Sequence, residues 1–137
     1  MPATLADVTD IAGALPEVVE GDRRGFRIWD VGGKTFAWER PFSKADVKRF
    51  GDETPPDGPI LAVRVADLGE KDAQLAAHPG PLFTIPHFNG FSAVLVHLRV
   101  VPKRLLRQVL TDGWLCQAPP ALVDEYLRAH RRPARAR

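Results

Sequence analysis

Phe26-Arg27-Ile28-Trp29-Asp30-Val31-Gly32-Gly33-Lys34-Thr35-Phe36-Ala37-Trp38-Glu39 decides how this chain folds. Two runs rich in aromatic and branched residues flank a glycine pair, and paired glycines supply the positive φ angles that a two-residue hairpin turn requires. With Gly32-Gly33 as the loop, Val31 faces Lys34, Trp29 faces Phe36 and Arg27 faces Trp38. That register predicts an aromatic cross-strand pair, Trp29 with Phe36. The other side then carries Phe26, Ile28, Asp30, Thr35, Ala37 and Glu39. Strands joined by so short a turn are antiparallel.

Working outward from the hairpin, Leu5, Val8, Ile11, Ala12 and Leu15 recur at helical spacing over residues 4–15. Thr4 stands where a cap belongs, and Pro16 stops the helix. Ser43 opens a short helix through Phe50, with Asp46 in its first turn. Residues 51–59 hold Gly51, Gly58 and three prolines and read as a loop. Ile60 to Val65 is a strand. Asp67 caps a helix to about His78, which Pro79-Gly80-Pro81 ends. Leu82 to Ile85 is short and extended, and a turn at Asn89-Gly90 leads into a strand from about Ser92 to Val100. Pro102 opens a helix with Leu106, Val109, Leu110 and Trp114 on one face. After Pro119-Pro120 a last helix carries Leu122, Val123, Tyr126 and Leu127. The helices are too few and too uneven for regular βαβ units. The expected class is α+β, a mainly antiparallel sheet with helices packed on one face.

The chain has 137 residues, 45% of them hydrophobic, which suits one modest core. No apolar run approaches the roughly 18 residues of a membrane helix, so no membrane role is expected. The start, with Asp7 and Asp10, has no secretory pattern, and the lone Cys116 cannot close an internal disulfide. A cytoplasmic location is the expectation. Five of the 19 basic residues and none of the 17 acidic ones fall between Arg128 and Arg137, which leaves the body net acidic by three. The expected organisation is therefore one domain over residues 1–127 and an Arg-rich, mobile C-terminal tail over 128–137.

Four segments in order carry a family likeness. They are the helix ending at Leu15-Pro16, the hairpin Trp29-Asp30-Val31-Gly32-Gly33-Lys34-Thr35-Phe36-Ala37, the turn Thr84-Ile85-Pro86-His87-Phe88-Asn89-Gly90 before Val94-Leu95-Val96, and Asp112-Gly113-Trp114 ahead of Ala118-Pro119. Together they resemble the MmcQ/YjbR family of small bacterial proteins over roughly residues 5–127. The resemblance implies a frataxin/CyaY-like fold and a likeness to a double-wing DNA-binding module, hence a non-enzymatic DNA-binding protein. It would place phosphate contacts at Arg23 and Arg24 leading into the hairpin, at Lys34 on its tip, and at Lys44, Lys48 and Arg49 on the short helix. The tail inherits no role from the family; apart from the resemblance, a DNA-binding reading would use the Arg128–Arg137 tail, with Arg131 and Arg132, as a phosphate-seeking arm. The chain departs from the family in the surroundings of Trp29-Asp30 and Ala37-Trp38, in the proline-rich loop and in the tail.

Other chemistries find little support. Gly33-Lys34-Thr35 lacks the glycine five positions earlier, where Ile28 stands, and is followed by a strand, so it is not a phosphate-binding loop. His78, His87, His97 and His130 show no helical metal spacing, and one cysteine cannot build a structural zinc site. Asp7 and Asp10, with Glu17 and Glu20 beyond, are too sparse for the acidic iron-binding ridge of frataxin-like proteins. No catalytic constellation emerges, and no metal or cofactor is expected. Two alternatives to DNA stand. One is a protein partner on an uncovered sheet face that includes Phe26, Ile28 and Ala37. The other is a small ligand at His87, Asn89 and Trp114, with His87 favoured because loop residues carry function more often than strand residues.

Overall fold

The computed structural model describes residues 2–130. Six strands, β1 (Val19–Arg23), β2 (Phe26–Val31), β3 (Lys34–Glu39), β4 (Ile60–Arg64), β5 (Leu82–Phe83) and β6 (Ala93–His97), form one sheet in the order β1-β2-β3-β4-β6-β5. Every neighbouring pair is antiparallel. Five helices accompany it: α1 (Leu5–Gly13), α2 (Lys44–Arg49), α3 (Leu68–Ala77), α4 (Lys103–Gln117) and α5 (Pro120–Ala129). The class is α+β, as the sequence predicts.

The helix starts follow from their caps. Thr4 Oγ1 accepts from the Asp7 amide at 3.2 Å while the Asp7 carboxylate accepts from the Thr4 amide at 2.9 Å. Ser43 and Asp46 repeat this reciprocal box at α2, at 3.1 and 2.9 Å. At α3 the Asp67 carboxylate accepts from the Glu70 amide at 2.8 Å. The last helix runs through Ala129, two residues past the domain end read from the sequence. Arg131 and Arg132 lie outside the described residues.

One sheet face is the main core. Trp29, Val31, Phe36, Leu61, Val63, Val94 and Val96 are buried there against Val8 of α1 and Leu106, Leu110 and Trp114 of α4. Gly113 permits this contact: a Cβ at that position would sit 2.6 Å from Val63 Cγ1 and 3.1 Å from the Arg64 carbonyl oxygen. The Trp29 indole donates to Glu20 at 2.9 Å and the Trp114 indole donates to the Pro16 carbonyl at 3.0 Å, so neither buried N–H is orphaned. The reverse face has a smaller cluster over β4, β5 and β6. Ile60, Ala62, Ile85, Phe88 and Leu95 form it, with Phe42, Phe50 and Phe83 at its margin.

The hairpin differs from its predicted register. Val31 does pair with Lys34 across Gly32-Gly33, whose φ angles are 60° and 82°. Beyond Asp30–Thr35 the ladder slips, so Trp29 pairs with Ala37 and Ile28 with Trp38. Phe36 is the extra residue of a β-bulge. The slip lets both Phe36 and Ala37 enter the main core and sends Trp38 to the reverse face. The expected Trp29–Phe36 cross-strand pair is thereby replaced, and Ala37 is buried rather than part of an open face.

A second hairpin, absent from the sequence reading, precedes the first. β1 pairs along its whole length with β2 through a turn in which Arg24 and Gly25 have φ of 56° and 85°. Every residue of β1 is exposed, so no hydrophobic period betrays it. Its Glu20, Asp22 and Arg23 give the sheet edge the charge that discourages edge-to-edge association. Among the described residues no helix is long and apolar enough to cross a membrane.

Candidate nucleic-acid interface

The cover on the reverse face ends at Trp38 of β3, which packs at the margin of the smaller cluster. Over β1, β2 and the rest of β3 that face stays open: Val19 is 65% exposed and Phe26 40%. Side chains alternate across strands, so Arg23, Ile28, Thr35, Trp38 and Arg64 all project to this side. The bulge at Phe36 is what adds Trp38 to the set.

A cleft of about 610 Å³ opens here, lined by Arg23, Lys34, Thr35, Trp38, Arg64, Phe91 and, from the end of α4, Gln117. The Arg64 Nε donates to the Ser92 carbonyl at 3.0 Å, and its guanidinium lies 4.8 Å from the centre of the Phe91 ring. Phe91 packs edge-on against Phe88, with ring centres 5.5 Å apart. Trp38 stacks on Phe88 at 6.3 Å and 25°. Arg23 Nη2 reaches the Thr35 hydroxyl at 3.5 Å, and that hydroxyl donates to Asp30 at 2.5 Å. Asp30 projects to the same face as Thr35, which is its hydrogen-bond partner. Among the described residues Arg23, Lys34 and Arg64 form no ion pair. Three cations facing one cleft without carboxylate partners create a positive potential that attracts anions.

A buried lysine supports the cleft wall. Lys71 of α3 is 5% exposed, and its Nζ donates to the Phe88 carbonyl at 2.7 Å and the Phe91 carbonyl at 2.9 Å. Burial lowers its pKa from the ordinary lysine value, and the nearby Asp72 opposes that shift. These two bonds hold the segment from Pro86 to Phe91, a 3-10 turn followed by a bend, and so fix the backbone that carries Phe91.

The remaining candidates divide. Arg24 sits on the β1–β2 turn and lines an adjoining cleft of about 460 Å³ with Phe26, Ile28 and Phe42; Arg23 and Trp38 line both. Lys44 and Lys48 are exposed on α2 and line neither cleft. Arg49 lies 3.9 Å from Asp46, whose other oxygen takes Arg40 at 3.0 Å. Burial pushes the Asp46 carboxyl up, but hydrogen bonds from Ser43 and the charge of Arg40 outweigh it and leave the pKa below the usual value. His87 and Asn89 are exposed together on the turn before Phe91. Trp114 does not join them: it is fully buried in the main core and packs on Tyr126 at 4.9 Å. Burial pushes the Cys116 thiol up, and its Sγ donates to the Gly113 carbonyl at 3.2 Å, which suits packing rather than nucleophilic attack.

Of the cleft's residues only Arg23 and Lys34 are site candidates in the sequence; Thr35, Trp38, Arg64, Phe91 and Gln117 are not, and two of these had a readable signal. Arg64 ends an otherwise apolar strand, and a lone cation closing Ile60-Leu61-Ala62-Val63 was a usable signal. Phe91 follows Asn89-Gly90, an aromatic placed directly after a turn.

Comparison with known proteins agrees with this architecture. The YjbR family model matches residues 13–116. Uncharacterized proteins of Mycobacterium tuberculosis H37Rv and Mycobacterium bovis are each 46% identical over 128 residues, covering 91% of this chain and 96% of theirs. The crystal structure of a Deinococcus radiodurans protein with the DUF419 domain superposes with a TM-score of 0.63 at 21% identity, covering 90% of this chain and 87% of that one.

Proposed function

The chain belongs to the YjbR family, and we propose that it is a non-enzymatic DNA-binding module that takes phosphates on the open face of β1, β2 and β3. The observation that carries this reading is the set of Arg23, Lys34 and Arg64 lining one cleft without carboxylate partners. The family's likeness to a double-wing module supports it, with one change of emphasis. The hairpin contributes its outer face as well as its tip, and β4 supplies a third cation. Backbone contacts of this kind give affinity without base specificity.

An anisotropy titration of labelled DNA at low and high salt tests the proposal. Three phosphate contacts give a slope of log affinity on log salt of about −2.7 for a duplex. Micromolar protein that binds no DNA at either salt ends it. A second reading, a protein partner on the same face, is favoured by the exposure of Val19 and Phe26 and the apolar cleft beside Ile28. A stable co-purifying partner lost on Ile28→Glu would support that reading, and an unchanged partner profile would count against it.

A further inference from the structure

We infer that the ligand of this cleft is single-stranded nucleic acid, with an unpaired base stacked on the aromatic wall of Phe91 and Trp38 while Arg23, Lys34 and Arg64 hold the flanking phosphates. This deepens the DNA-binding reading and rests on it.

The first argument is the composition of the wall. A duplex presents phosphates outward and keeps its bases paired inside, so a duplex-binding surface needs cations and little flat apolar area. Single-strand binders combine a cationic groove with aromatic rings, because every base has a face to stack. This cleft has both. Phe91 is 37% exposed, and Trp38 is half-buried beside it at 6.2 Å and 60°. The Arg64 guanidinium over Phe91 adds a second planar, cationic surface to the same wall.

The second argument is rigidity. A buried ammonium is unfavourable unless it is well bonded. Lys71 forms no ion pair among the described residues, and its two hydrogen bonds go to the carbonyls of Phe88 and Phe91. A buried charge is thus committed to fixing one short segment, and Phe91 is the exposed ring of that segment that lines the cleft. Fixing a stacking surface in advance lowers the ordering penalty of binding. The third argument is size. About 610 Å³ falls inside the range of roughly 300–1,000 Å³ typical of small-ligand sites, enough to admit a base.

The experiment compares an oligothymidine about 12 nucleotides long, within the site sizes of single-strand binders, with a hairpin duplex of matched length. Anisotropy should show tighter binding of the single strand. Trp29 and Trp114 are fully buried, so quenching of tryptophan fluorescence by the oligothymidine should vanish in Trp38→Phe. Phe91→Ala should weaken oligothymidine binding about 5- to 150-fold, the range of one lost stacking contact, and should weaken duplex binding less. Phe91→Leu keeps apolar bulk without a flat ring and should show the same loss if Phe91→Ala folds poorly; Phe91→Tyr should retain affinity. A matched oligouridine separates the two sources: tighter binding than oligothymidine assigns RNA, and weaker binding assigns DNA. A duplex bound as tightly as the single strand, with the Phe91 variants unimpaired, overturns the inference and leaves phosphate binding standing. Binding of neither form removes both.

Discussion

The two faces of the β1–β3 ribbon are built from the same strands and have opposite fates. On the inner face Trp29, Val31 and Phe36 are fully buried beneath α1 and α4. On the outer face Phe26, Ile28 and Trp38 have comparable apolar bulk, yet none is fully buried: Trp38 stacks on Phe88 at the margin of the smaller cluster, and Arg23 and Thr35 stand among them. Hydrophobic pattern alone would have treated the two as equals. What separates them is a single inserted residue. The bulge at Phe36 gives the core two consecutive side chains and moves Trp38 to the other side. An aromatic left half-buried at the margin of the smaller cluster, beside cations without ion pairs among the described residues, keeps surface available for recognition.

The comparison makes a first demand on stability. Substitutions on the inner face should unfold the protein, and those on the outer face should not. The largest loss is expected for Trp114→Ala. Its ring is fully buried, its N–H is satisfied by Pro16, and Tyr126 packs on it. Urea unfolding should show a loss of about 3–5 kcal/mol. A loss under 1 kcal/mol would mean that the inner face is not the main source of stability.

Gly113 sharpens the same contrast. A methyl there meets Val63 Cγ1 at a distance that forces movement, and the Arg64 carbonyl at a tight one. Gly113→Ala gains up to about 1 kcal/mol of helix propensity, but overpacking of a tight helix–sheet contact costs about 1–3 kcal/mol. The expected net effect is a moderate destabilisation by thermal melting. A stabilised Gly113→Ala would show that α4 and β4 separate readily, and would unsettle the position of Arg64 on the far side of the same strand.

At the hairpin tip, on the rim of the cleft, Lys34→Ala should change stability by no more than about 0.5 kcal/mol. Its effect belongs to binding: affinity should fall across all DNA sequences, and the salt slope should shrink by about 1. Lys48→Ala, on α2 and outside the cleft, is the matched control and should leave the slope unchanged. Equal effects from the two lysines would dissolve the distinction between the cleft and the rest of the basic surface.

Local features of this architecture were legible in the sequence. The caps at Thr4, Ser43 and Asp67, the Gly32-Gly33 turn and the apolar strands β4 and β6 all depend on neighbours a few residues apart, and each appears where the sequence places it. The strand β6 is shorter than read, ending at His97, whose Nε2 lies 2.8 Å from the Asp57 carbonyl. Two structural features were not legible. β1 reads Val19-Glu20-Gly21-Asp22-Arg23 and has no apolar alternation, because an exposed edge strand is held by backbone hydrogen bonds. The bulge was invisible because a one-residue slip leaves composition intact while exchanging the faces. The candidate site suffered most from this. Arg23 and Lys34 were singled out on local grounds, but their convergence with Arg64, Trp38 and Phe91 is a property of the sheet, not of any segment.

The smallest expected effect concerns the hinge between covered and open halves, where Lys71 anchors the Phe91 segment. Burial lowers the pKa of this lysine in the folded protein from the ordinary value of 10.5. Below that lowered pKa both folded and unfolded chains hold the proton, and the folded state bears the full penalty of a buried charge. As pH rises through it, the folded state releases the proton while the unfolded chain keeps it, so unfolding takes up a proton and stability increases. The increase ends once pH passes the unfolded value. Lys71→Met lacks this titration and also leaves the Phe88 and Phe91 carbonyls without their donor. Urea midpoints of the wild type and Lys71→Met, measured from neutral to alkaline pH, should therefore diverge in favour of the wild type as pH rises. A gap that stays constant would mean that Lys71 is hydrated in solution. The Phe91 ring would then lose its fixed support, and the outer face would differ from the inner one in order as well as in cover.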